Sequence, residues 1–245
     1  NARRQEHLTS LGIPLAGKTV VEVGAGIGDH YHFFKDRGCS ITITEARSEN
    51  LHHLKTRYPD NIVEFLDTFG NYLEKNQKNV SFANGIQNLC EFLKKENLVR
   101  DLNVALRGNY KVLDEFVTLF DDSRFFYHSQ PRGLAVHWIA GNVDVLGIFS
   151  IIQALITKNV SLVKVPHNYE RLLNLINCIK NVSTSKISGN DVLKCISLVH
   201  IKHEDIENQQ IISDSADIRI AWGGQEAIES ILSLKKKFST EDIIY

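Results

Sequence analysis

The sequence predicts an α/β protein made of two unlike parts. A partial βαβ unit of the nucleotide-binding kind occupies residues 1–60, and a helical segment then leads into a parallel α/β nucleotide-binding domain over residues 61–245. Three observations carry this. Residues 20–29, VVEVGAGIGD, run from an apolar stretch into glycines at alternate positions and then an acid. From Asn61 to Asp122 apolar residues recur at three and four spacing, as in Ile62, Phe65, Leu66, Phe69 and Leu73. After Pro131 short β-type runs alternate with helix-type runs to the end of the chain.

Taken in order, TVVEV is a strand because β-branched residues fill it, and the glycine turn that follows opens a helix over Asp29–Asp36. SITITE is the second strand, followed by a helix over Ser48–Arg57. Residues Asn61–Asp122 read as several amphipathic helices and no strand, including one through Leu113, Phe116, Val117 and Phe120. Beyond Pro131 the strands are GLAVHWIAG, VSLVKV, CISLVHI and DIRIAW. The helices are Leu146–Leu155, Tyr169–Asn181, Asp205–Ser213 and Gln225–Leu234. Parallel strands need such crossovers.

Composition narrows the function. Lys and Arg number 28 against 29 Asp and Glu, so no chain-wide basic field exists for nucleic acid. Lys235, Lys236 and Lys237 read as a solvated helix end. Cys39, Cys90, Cys178 and Cys195 are widely spaced with no CxxC pair, which fits reduced thiols in a cytoplasmic protein. The apolar stretch Gly133–Ile156 contains His137, Asn142, Asp144 and Gln153, so a strand, a turn and a helix explain it better than a membrane span. His137 and His200 on strands, and the exposed group His30, His32, His52 and His53, lack a ligand-like complement of acids or thiols, and no metal is expected.

Glu22-x-Gly24-x-Gly26-x-Gly28, with Glu45 at the end of the next strand, has the arrangement of a nucleotide turn. Glycines let the backbone approach a ligand, and an acid about 20 residues on accepts ribose hydroxyls. The third glycine comes one residue too early for the dinucleotide fingerprint GxGxxG. This segment resembles motif I of the class I S-adenosylmethionine methyltransferases. The resemblance implies S-adenosylmethionine as cofactor, with Glu22, Gly24, Gly26 and Gly28 lining its methionine and adenosine side and Glu45 holding its ribose.

The later segment carries HWIAGNV, TKNVSLVK and AWGGQEAI. Lys164 falls at the carboxyl end of a strand, where ligands of open α/β sheets sit, and Gly223-Gly224 lies between a strand and a helix N-terminus. These strings resemble the long-chain acyl-CoA reductases of bacterial bioluminescence operons, a branch of the aldehyde dehydrogenase superfamily, over residues 61–245. The resemblance implies NADPH-dependent reduction of an acyl-CoA or acyl-protein thioester to an aldehyde, beside partner enzymes that activate the fatty acid. It also implies that Lys164 contacts the adenosine ribose of NADP, Gly223 and Gly224 flank the pyrophosphate, and Asn142 is an oxyanion donor. Asp144 departs from the proline usual after AGNV, and His167 stands where many NAD-using relatives carry glutamate, which favours NADP. Cys178 and Cys195 read as packed residues, so no nucleophile is assigned. The expectation is a reductase fragment that stops before its catalytic cysteine, fused to the start of a methyltransferase. The alternatives are a working methyltransferase and a non-catalytic nucleotide-fold scaffold.

Overall fold

The computed structural model describes residues 2–23, 30–44, 59–76, 85–118, 126–139 and 145–245. The chain divides into two compact units, one of residues Asn1–Tyr58 with Leu102–Ser129, the other of Pro59–Asp101 with Gln130–Tyr245.

In the first unit α1 (Ala2–Ser10) precedes β1 (Thr19–Val23), α2 (Tyr31–Lys35) and β2 (Ser40–Thr44). β1 and β2 pair in parallel, Thr19 with Ser40 through Val23 with Thr44. The helix through Phe116 and Val117 does not form. Instead Tyr110–Leu113 makes one 3-10 turn, begun by the Asn109 side chain accepting from the Lys111 amide, and Val117 bridges antiparallel to Tyr127. The amide of Ser129 donates to the Val112 carbonyl, so this segment bonds to its own return strand rather than along a helix. The expected helix over Ser48–Arg57 lies outside the described residues.

In the second unit α3 (Pro59–Asn76) buries Ile62, Phe65, Leu66, Phe69 and Leu73, one stripe at helical spacing. It crosses α4 (Ile86–Leu93) closely: a Cβ on Gly70 would stand 2.9 Å from the Leu93 Cβ, so a larger residue would push the helices apart. α5 (Lys95–Ala105) starts where the Asp67 carboxylate accepts from the Lys95 amide.

Five strands follow: β3 (Leu134–Trp138), β4 (Val160–Lys164), β5 (Ile196–Val199), β6 (Ile218–Ala221) and β7 (Glu241–Ile244). All pair in parallel, in the order β5-β4-β3-β6-β7. The chain builds outward from β3 to β5, then returns to the free side of β3 with β6 and β7. β7 lies outside the expected strands; it is short, largely exposed and preceded by three lysines, so its sequence reads as a polar tail. The lysines also do more than end a helix. Lys236 Nζ bonds Asp242, and Lys237 Nζ bonds Asp217, tying the approach to β7 onto the sheet.

Side chains of parallel neighbours in register share a face. One face carries Ala135, His137, Ser161, Val163 and Ile220, beneath α6 (Leu146–Ile156) and α7 (Glu170–Ile179). Gly147 lets α6 approach α7: a Cβ there would meet Leu172 Cδ2 of α7 at 2.9 Å, so its smallness serves helix packing. A short helix, α8 (Gly189–Leu193), is fixed by a capping box between Ser188 and Asp191. The opposite face carries Val136, Trp138, Lys164, Arg219 and Ala221, covered by α9 (Ile206–Ser215) and α10 (Gln225–Ser233). Arg219 is its anchor. Its guanidinium makes a bidentate pair with Asp242 at 2.7 and 2.9 Å. Nη1 donates to Ser213 Oγ and to the carbonyls of Ile231 and Leu234, which end α10.

Candidate functional site

In an open α/β sheet the crevice for a ligand opens at the carboxyl ends of the strands, where the strand order reverses. Here the reversal is between β3 and β6. The last paired residues along that edge are Val199, Lys164, Trp138, Ala221 and Ile244. Lys164 and Ala221 both pair with Trp138, from opposite sides. At about 4.8 Å between neighbouring strands, Lys164 and the entry to the Gly223-Gly224 turn stand about 10 Å apart. They share one face, the face onto which α10 folds back.

Each member of this edge lacks something a ligand could supply. Lys164 is half-buried with no ion-pair partner among the described residues, and burial lowers its pKa below the ordinary lysine value. Trp138 is 3% exposed, and its indole N–H is buried with no acceptor among the described residues. Gly224 caps α10 in extended backbone without a side chain, so the first-turn amides of that helix have no side-chain acceptor. A Cβ on Gly224 would meet nothing within 4 Å, whereas one on Gly223 would touch Ala227 at 3.2 Å. A cation, an orphaned donor and a helix N-terminus on one edge suit an anionic, hydrogen-bond-accepting ligand such as a dinucleotide. The depression beside Gly224 is lined by Gln225, Glu226, Ala227 and Glu229, and Lys164 is not part of its wall. The two positions therefore share an edge and a face rather than one closed pocket.

Behind the edge, on the other face, the polar groups are satisfied. His137 is fully buried, its Nδ1 2.7 Å from Ser150 Oγ and its Nε2 3.1 Å from Ser161 Oγ. Desolvation lowers its pKa to about 4, so the ring is neutral at physiological pH. Ser150 Oγ also accepts from Trp222 Nε1, and the Trp222 ring stacks on Tyr245 at 4.0 Å. Burial raises the Cys178 thiol and pushes Cys195 up to about 11, so neither is poised as a thiolate. Among the described residues no group of three or more His, Cys, Asp or Glu could hold a metal. No described helix is long and apolar enough to cross a membrane.

Asn142, Gly24, Gly26, Gly28 and Glu45 lie outside the described residues. Glu22 is described in the first unit, where its Oε1 stands 2.8 Å from His30 Nδ1 in a partly buried pair. His30 and His32, expected on the surface, are partly and fully buried. The His32 ring packs edge-on against Tyr31, which the spacing of the histidines alone does not reveal. Sequence reasoning passed over Trp138 and Arg219. The signal for both was an indole and a guanidinium inside otherwise apolar strands, LAVHW and IRIA.

A parallel sheet with helices on both faces and a reversal of strand order at β3 and β6 defines a protein of the open α/β class. More particularly, the sequence model of the acyl-CoA reductase (LuxC) family matches residues 55–245, and the chain belongs to that family. The long-chain acyl-protein thioester reductase of Aliivibrio fischeri is 35% identical over 124 residues, covering 50% of this chain and 24% of that protein. The protein of the same description from Photobacterium phosphoreum is 28% identical over 138 residues, 56% of this chain and 27% of the relative. The chain thus aligns with about a quarter of the length of these curated relatives. Among solved structures, 3,6-anhydro-L-galactose dehydrogenase in complex with NAP overlays 83% of this chain and 45% of its own, at 14% identity and a TM-score of 0.49.

Proposed function

We propose that residues 61–245 form the dinucleotide-holding region of an NADPH-dependent reductase that converts a fatty acyl thioester, carried on CoA or on a protein, to an aldehyde. The observation that carries this reading is Lys164: a half-buried ammonium without a counter-charge among the described residues, beside an orphaned indole N–H and a bare helix N-terminus. Family membership supports acyl reduction, and the edge geometry supports the nucleotide.

In this reading Lys164 donates to the adenosine ribose, and the Gly223-Gly224 turn lets the α10 amides face the pyrophosphate. When bound there, NADPH would supply a hydride to the thioester carbonyl carbon, and cleavage of the C–S bond with uptake of a proton by sulfur would release the aldehyde and the thiol. Asn142, in the connection that follows β3, donates to the carbonyl oxygen as negative charge develops there. Such a donor is worth about 3 kcal/mol of transition-state stabilisation in a dry site. No described cysteine acts as the acyl acceptor, so the chain's own part is to bind and orient. Enzymes that activate the fatty acid are the expected partners. For residues 1–60 and S-adenosylmethionine the support remains the resemblance of the glycine turn alone.

Direct titration with NADPH tests the proposal. The chain has two tryptophans, and Trp138 sits in the middle of the proposed site. Energy transfer from the two indoles at this edge to the reduced nicotinamide should appear on binding, weaken in Trp138→Phe or Trp222→Phe and vanish in the double variant. Lys164→Met should weaken binding roughly tenfold. No transfer and no calorimetric binding with the wild-type chain would overturn the reading.

A further inference from the structure

The first unit holds a cavity of about 280 Å³ at the end of its sheet away from the glycine turn. β1 and β2 run in parallel from Thr19 and Ser40, and Leu15, Ala16 and Arg37, which come just before those starts, form one side of the cavity. Leu8 and Thr9 of α1, with Ile13 of the connection, complete its described wall. The two strand approaches are bonded to each other. The Gly17 amide donates to the Gly38 carbonyl at 2.9 Å, and the Cys39 thiol donates to the Leu15 carbonyl at 3.2 Å. Arg37 is the one cation of this wall. Its guanidinium lies 3.9 Å from the centre of the Phe33 ring, and Nη1 donates to the Phe33 carbonyl at 2.9 Å. Those contacts fix the plane of the group and leave Nε and Nη2 without an acceptor among the described residues. Its neighbour Asp36 accepts from the backbone of Phe116 instead of pairing with it. Thr9 gives its hydroxyl proton to the Gln5 carbonyl, so the rest of the wall offers aliphatic surface and no second charge.

We infer that this cavity binds a medium-chain aliphatic carboxylate, with the Arg37 guanidinium taking the carboxylate and Leu8, Ile13 and Leu15 covering the chain. A planar guanidinium with donors to spare matches the two oxygens of a carboxylate, and the aliphatic wall matches hydrocarbon. At roughly 30 Å³ for each water-sized group, the volume admits about nine such groups, which a carboxylate and about six further carbons fill. Nucleotides of open α/β sheets sit at the carboxyl ends of the strands, and this cavity lies at the amino ends. The site is therefore distinct from the glycine turn that follows β1, and it does not rest on the dinucleotide reading of the second unit.

Calorimetric titration of the whole chain with octanoate tests the inference, with 1-octanol as an uncharged probe of the same chain length. Octanoate should bind, and 1-octanol should bind roughly tenfold or more weakly. Arg37→Gln should lose octanoate affinity by roughly the same factor while leaving 1-octanol affinity unchanged. Ile13 is 51% exposed, so Ile13→Asp should keep the wild-type circular dichroism. It sets a negative charge beside the bound acid and should likewise weaken octanoate roughly tenfold, which decides the matter if Arg37→Gln does not fold. Octanoate binding that is unchanged in either folded variant, or 1-octanol bound as tightly as octanoate, overturns the site. So does a wild-type chain that takes up no octanoate by about 10 mM.

Discussion

Arg219 and Lys164 are two cations on one face of one sheet, and they are treated in opposite ways. Arg219 is 2% exposed and every arm of its guanidinium has a protein acceptor. Lys164 is only half-buried and has no counter-charge among the described residues. A buried charge without partners is costly, so a fold that needs only stability either pairs a cation or omits it. The paired cation lies mid-strand, where it ties α9, α10 and β7 together. The unpaired one lies at the edge that opens to ligands. The difference teaches that partnering, rather than burial alone, separates a charge spent on the fold from one left available to a ligand, the role proposed for Lys164.

The largest effect that could break the comparison is removal of the Arg219 partner. Asp242→Ala should lower stability by about 3–5 kcal/mol in urea unfolding, because the guanidinium stays buried without its carboxylate. The double variant Arg219→Met/Asp242→Leu should recover much of that loss. A single variant within about 0.5 kcal/mol of wild type, the size of effect typical of surface substitutions, would mean the pair is no anchor.

His137 supplies the next effect, since it is buried but neutral. Its folded pKa of about 4 lies below the ordinary value of 6.5, so the unfolded chain takes up the proton first. Its contribution is present in full above pH 6.5, declines as the pH falls, and is lost through the folded pKa. The change is roughly 3 kcal/mol across that window. Unfolding measured at steps between pH 7 and 4 should show this slope, and His137→Gln should flatten it.

For Lys164 the expected effect on stability is small and of opposite sign to that of Asp242→Ala. Lys164→Met should melt at or slightly above the wild-type temperature while losing nucleotide binding. A large loss of stability would make Lys164 a structural residue after all. The last effect concerns its titration. Burial lowers the folded pKa, so the unfolded chain holds the proton longer, and stability should rise slightly as pH climbs between the lowered value and 10.5. An anionic ligand favours the charged form, so NADPH affinity should fall over the same alkaline interval, and Lys164→Arg should remove that fall.

The sheet was legible in the sequence because its strands are short apolar runs punctuated by glycine and polar turns, and the helices between them hold one apolar stripe each. β7 was not, since an exposed edge strand carries no burial pattern, and its pairing with β6 is a long-range fact. The segment through Phe116 shows the reverse failure: helical spacing was present, but backbone bonds to the return strand at Tyr127 prevailed. At the edge, Lys164 and the paired glycines could be found because their positions relative to strand ends follow from the alternation. Trp138 could not, because the burial of its indole N–H without an acceptor among the described residues depends on how the strands and the helices above them pack.

The order of the strands also constrains how this sheet can be assembled. β3 meets β4 after a short crossover, but its other neighbour, β6, arrives only when Ile218 pairs with Ala135. Until then a growing chain carries a central strand with a bare apolar flank, open to mispairing with another nascent copy. Productive folding must therefore wait for the stretch around Arg219, whose guanidinium completes its bonds only once Ile231, Leu234 and Asp242 have followed it along the chain.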